Sequence, residues 1–131
     1  AKVRLGQLAE AADRLDEAAR LFEEAAGMDG RSALPHRHLA GLALRRHSTD
    51  TAREHLHQAL LRNPRDAAAL TLMARLYLDG GEDPELAESL ARQAVAHRPE
   101  SKQGWLVLAR ALDTRGRHAE AREARLKAGE V

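Results

Sequence analysis

The sequence predicts an all-α fold of four helix pairs. Three observations carry this. Hydrophobic residues make up 44% of the 131 residues while aromatics are only 2% (Phe22, Tyr77 and Trp105), so the interior has to be built from Ala and Leu, the strongest helix formers. No segment alternates apolar and polar residues with period two, which argues against strands. And one phrase recurs: "RNPRDAAALTLMARLYL" at residues 62–78 returns as "HRPESKQGWLVLARAL" at residues 97–112.

The phrase in fact occurs four times. The first helix of each unit carries Leu5-Gly6-x-x-Ala9, Leu39-Ala40-x-x-Ala43, Met73-Ala74-x-x-Tyr77 and Leu108-Ala109-x-x-Leu112, at steps of 34, 34 and 35 residues. The second carries Ala18-x3-Phe22-x2-Ala25, Ala52-x3-Leu56-x2-Ala59, Ala87-x3-Ala91-x2-Ala94 and Ala121-x3-Arg125-x2-Ala128, at steps of 34, 35 and 34. Gly30, Pro64 and Pro99 close the first three units, and the one extra residue falls in the turn "DGGEDPE". The units run approximately 1–30, 33–64, 67–99 and 102–131, as one domain over 1–131.

This pattern resembles the tetratricopeptide repeat (TPR) family. The last unit is the nearest match, with Trp105-x2-Leu108-Ala109-x2-Leu112, then Gly116 and Ala121. Two residues depart from it: His36 and Arg125 stand where large apolar side chains are expected. The resemblance implies a right-handed α-solenoid of eight antiparallel helices.

Each element also has a local justification. The first helix offers Val3, Leu5 and Leu8 as apolar positions. Asp50 is positioned to cap the second helix of unit 2. Asp66 and Ser101 are good N-caps for the first helices of units 3 and 4. Asp83-Pro84 supplies a cap followed by Pro at the first helical position. Gly80-Gly81 and Gly116 stop the helices before them. Small residues recur where two helices approach: Gly6, Ala40, Ala74 and Ala109 on one, Ala18, Ala52, Ala87 and Ala121 on the other. Trp105 is expected to be largely buried between units 3 and 4. The charged last helix, with Arg125 in an apolar slot, reads as a cap. The first unit has no such device, so the chain reads as the C-terminal part of a longer protein.

Composition narrows the function. Charged residues are 31% but the net charge is +1, so there is no broad polyanion grip, and aromatics are too few for base stacking. Nucleic acid is therefore not an expected partner. No apolar run approaches the ~18 residues of a membrane span, and no targeting segment is recognisable, which favours the cytoplasm without fixing the compartment. There is no Cys. The seven histidines never stand at i,i+3 or i,i+4, the spacings that put two ligands on one helix face. The imidazoles of "HRH" and "HLH" point roughly 200° apart, so no metal site is expected. No Ser has a strand-turn-helix elbow, and Gly80-Gly81 lacks the Lys-Ser/Thr of a phosphate loop. Neither catalysis nor a cofactor is expected.

What remains is a surface. In the resembled family the first helices line a concave groove that binds peptide segments. The positions left free by the core pattern there are Gln7, Gly41, Arg75 and Arg110 in one row, with Val3, Arg37, Thr71 and Leu106 beside it. One turn further lie Glu10, Leu44, Leu78 and Asp113, next to Arg45 and Asp79. Leu44 and Leu78 are expected to be exposed among the arginines. The expected partner is a protein or peptide segment with carboxylates and some apolar side chains, since the planar guanidinium fork bonds carboxylates bidentately. The alternatives are an assembly domain that stacks or weakly self-associates through its first helix, or an accessory domain of an enzyme lying outside this chain.

Overall fold

The computed structural model describes residues 2–129, and among these it contains eight helices and no strand. They are α1 (Lys2–Ala11), α2 (Leu15–Met28), α3 (Leu34–Arg45), α4 (Thr49–Arg62), α5 (Ala67–Asp79), α6 (Pro84–His97), α7 (Lys102–Thr114) and α8 (His118–Lys127). The helices group into two compact units, Ala1–Pro64 and Arg65–Val131. Each unit holds two helix pairs, and inside each the second helix of the first pair packs on the first helix of the next.

The pairs are held close by small residues. Ala18, Ala52, Ala87 and Ala121, one from each second helix, are fully or almost fully buried, as are Ala40, Ala74 and Ala109 opposite them. Gly6 takes that place in α1, where a Cβ would lie 2.6 Å from Cε1 of the fully buried Phe22 ring. Phe22 and Leu56, four residues beyond the core Ala of the same face, are likewise fully buried.

Every first helix ends in the same way. Asp13, His47, Gly81 and Gly116 are the equivalent residues of the four repeats, and all have positive φ, at 62°, 59°, 67° and 80°. The next amide donates back to a carbonyl five residues upstream: Arg14 to Ala9, Ser48 to Ala43, Glu82 to Tyr77 and Arg117 to Leu112, at 2.8–2.9 Å. This is the long bond of a Schellman stop. The glycines of units 3 and 4 announce it in the sequence. Asp13 and His47 reach the same backbone state against a side-chain penalty.

The expected caps at Asp66, Ser101 and Asp83 form, accepting from the amides of Ala69, Gly104 and Leu86 at 3.2, 3.2 and 3.1 Å. Asp50 is a correction. Helix α4 starts at Thr49 after Ser48, so Asp50 sits inside the first turn, where its charge meets the helix dipole and not a cap amide. Trp105 is a second correction: it is only half-buried. Its neighbours across the α6–α8 groove are Val95, Ala96 and Ala124, too small to cover the ring, and a cavity of about 540 Å³ remains over it. Lys127 lies 5.0 Å from the ring centroid, and the indole N–H donates to the Pro99 carbonyl at 2.6 Å.

Two substitutions test this packing with opposite signs. Gly6→Ala should lower stability by about 1–3 kcal/mol, because the buried Phe22 ring has nowhere to move. His47→Gly should raise it by up to about 1 kcal/mol by relieving the left-handed turn. Urea midpoints of the two variants check both.

Candidate functional site

In the unit Ala1–Pro64, the candidate residues lie on α1 and α3. Gln7 Nε2 stands 3.3 Å from His38 Nε2, and the His38 ring stacks on Phe22 at 4.8 Å with the planes 6° apart. Arg45 pairs with Asp13 at 3.0 Å and approaches Glu10 at 3.6 Å. Gly41 faces open space, with no atom within 4 Å of where a Cβ would stand. Arg37 is half-buried. Leu44 is also half-buried, not exposed as the pattern suggested.

In the unit Arg65–Val131, the candidates lie on α5 and α7. Arg110 donates to Asp79 at 2.6 Å, tying the two first helices together. Leu78 is half-buried and packs against the core of this unit, which corrects the expectation of a free leucine. Asp113 turns toward α8, where His118 Nδ1 and Arg125 Nη1 lie 2.8 and 2.6 Å from its oxygens. Their hydrogen bonds and charges, that of His118 first, hold its carboxyl below the ordinary range. Arg125, the charged residue in an apolar slot, thus serves its own repeat. Arg75 is exposed and has no hydrogen bond or ion pair among the described residues. Among the described residues of this unit it is a free cation, whereas Arg110 is already engaged.

Two features escaped the sequence reading. The first is Glu88 on α6, a carboxylate only 8% exposed. Arg115 reaches it at 2.6 Å, Arg92 at 2.8 Å and Arg117 at 3.5 Å. Burial pushes its carboxyl up, but the hydrogen bonds and charges of Arg92 and Arg115 outweigh that and hold it below the ordinary value. Arg115 and Arg117 flank the Gly116 turn, so Glu88 pins that turn to α6. The second is a histidine pair. His36 on α3 and His55 on α4 face each other with Nδ1 atoms 3.4 Å apart. A rule about one helix face cannot see it, because the two rings come from neighbouring helices.

No group of three or more metal-ligating side chains gathers among the described residues, and none of the described helices is long and apolar enough to cross a membrane. The geometry is that of repeated helix pairs with a surface of mixed charge. Two tetratricopeptide-repeat family models match the chain, over residues 9–76 and 71–128. The chain belongs to the tetratricopeptide repeat family. No curated protein sequence matches this TPR chain. Solved structures similar to it include a crystal structure of MamA (TM-score 0.80, 19% identity, 97% of this chain and 69% of that one). Pseudomonas aeruginosa pilF is similar with TM-score 0.85 and 21% identity, over 97% of this chain and 58% of that one. YrrB, described as a TPR protein with an unusual peptide-binding site, is similar with TM-score 0.82 and 14% identity, over 97% and 65%. At these identities the likeness concerns the fold. TPR repeats are in general non-catalytic modules for protein interaction.

The histidine pair gives a pH prediction. Burial first, then the charges of Arg62 and His55, lower the proton affinity of His36 from its ordinary pKa near 6.5. The folded state therefore binds fewer protons than the unfolded chain in that range. Its stabilisation is complete above about pH 6.5 and is lost as pH falls through the folded value. Thermal melts of wild type and His36→Gln from pH 7.5 to 5 should diverge, with the wild type losing more stability. Parallel curves would remove the role of the pair.

Proposed function

We propose that this TPR chain binds a protein or peptide segment on the face formed by the first helices α5 and α7, and that the segment carries carboxylates and apolar side chains. The observation that carries this reading is Arg75: an exposed guanidinium, unpaired among the described residues, beside Arg110 in a unit where α5 and α7 present one side. Most other cations of this surface are already satisfied, as Arg45 is by Asp13 and Arg110 by Asp79. An incoming carboxylate gains most at Arg75. Within the same unit, the half-buried edge of Leu78 supplies a modest apolar contact. Exposed pairing of this kind is weak and screened by salt, so the fit is to a segment that touches both repeats of that unit.

The test is a fluorescence titration with labelled peptides containing Glu and Leu, against matched peptides containing Lys and Leu. Acidic peptides should bind more tightly, and affinity should fall with added salt. Arg75→Ala should weaken binding by about three- to tenfold, equivalent to about 0.7–1.4 kcal/mol, and Arg110→Ala by less. Equal binding of both peptide classes, or affinity indifferent to salt and to Arg75, would remove this site.

A second reading has its own observation. Leu5 and Leu8 on α1 are 50% and 52% exposed, and adjacent apolar side chains of that kind mark a contact surface. Self-association through α1 would appear as concentration-dependent sedimentation that Leu5→Lys or Leu8→Lys reduces. A strictly monomeric chain at high concentration would dismiss it.

A further inference from the structure

In the unit Ala1–Pro64 two rings face each other between α3 and α4: His36 and His55, with centroids 5.6 Å apart. Their equivalents two repeats on are Trp105 and Ala124. A methyl group therefore stands where a second ring would be, and a cavity of about 540 Å³ lies over the indole. That is within the range of about 300–1,000 Å³ found for ligand sites. The indole is held in place by its own N–H, which donates to the Pro99 carbonyl at 2.6 Å.

Arg92, Glu120, Glu123 and Lys127 border this cavity. Arg92 is taken up by Glu88 at 2.8 Å and by Glu120 at 3.2 Å. Lys127 has no carboxylate partner among the described residues, and its ammonium lies 5.0 Å from the indole centroid. That is inside the reach of about 6 Å of a cation–π contact. Glu123 is exposed and has no hydrogen bond or ion pair among the described residues. The aromatic floor thus already draws a cation, and a carboxylate beside it is left with nothing to bind. We propose that this groove receives an arginine side chain from a basic segment of a partner protein, with the guanidinium stacked on Trp105 and hydrogen-bonded to Glu123.

Arginine suits the site better than lysine. Its guanidinium is flat, so it fills the place of the missing second ring, and its edge donates to a carboxylate while its face covers the indole. An ammonium meets the ring as a compact, strongly hydrated point charge and gains less. Lys127 is the occupant to be displaced. It is exposed on a flexible stem and can swing into solvent, and removing it should tighten the site. This inference does not rest on the α5–α7 reading, which asks for carboxylates where the groove asks for a cation.

Trp105 is the only Trp of the sequence, so the intrinsic fluorescence of the whole chain reads this groove. The probes are a short peptide of Gly, Leu and Arg and two matched peptides, with neutral citrulline or with Lys in place of Arg. The arginine peptide should change the emission saturably, the citrulline peptide should bind about tenfold more weakly and the lysine peptide about threefold more weakly. Glu123→Gln should weaken binding of the arginine peptide by about three- to tenfold, and Lys127→Gln should strengthen it. Glu54→Gln, at the equivalent place in the unit where two rings face each other, should leave it unchanged. Glu123 and Lys127 are both exposed, so neither replacement touches the core. An emission change that does not saturate, equal binding of the arginine peptide and either matched peptide, an affinity unmoved by Glu123→Gln, or weaker binding in Lys127→Gln would each overturn the proposal.

Discussion

The distance between the two helices of each pair is the constraint on which the structure depends. Ala18, Ala52, Ala87 and Ala121 have no exposed surface because a second helix backbone lies directly on them. A larger residue there would separate the helices and uncover the leucines beside them. The interior is close-packed, so the surrounding side chains have little room to compensate. In the first pair the demand is sharpest. Phe22 is the one large ring admitted to that seam, and it fits because Gly6 has no Cβ to meet it. Everything outward follows: the helix faces that remain free are those the seam does not use.

Much of this was legible in the sequence, because small residues at a fixed period leave a trace that composition cannot hide. The 34- or 35-residue steps gave the helix pairs their order, and Gly81 and Gly116 marked two of the four helix stops. Asp13 and His47 did not, since nothing in an Asp or a His declares a positive φ. Trp105 misled for a related reason. A lone Trp in an aliphatic helix reads as core, but burial depends on its neighbours, and Val95, Ala96 and Ala124 are too small to close over it. The same neighbour rule turned Leu78 inward, where the core pattern left it free.

The charged surface was legible in kind but not in pairing. Counting showed that acids and bases nearly balance, yet not that Asp13 and Asp79 would reach Arg45 and Arg110 on a following first helix. These ties run about one repeat apart in sequence, so they belong to the packing within each unit as much as to any partner. Glu88 shows the stronger version. A carboxylate taken out of water is costly unless several donors meet it, and three arginines do, two of them bracketing the Gly116 turn. The surface left for recognition is therefore smaller than the count of arginines implies, and Arg75 is its clearest member.

Where a partner sits is the most direct measure of the account. Amide chemical shifts of the labelled protein, followed as the acidic peptide that binds best is added, locate contact residue by residue. The account predicts that the perturbed amides concentrate on α5 and α7 around Arg75, Leu78 and Arg110. The α6–α8 groove around Trp105 should stay unchanged. Shifts gathered around Trp105, Glu123 and Lys127 instead, with Arg75 silent, would contradict it and move recognition to the opposite side of the repeats.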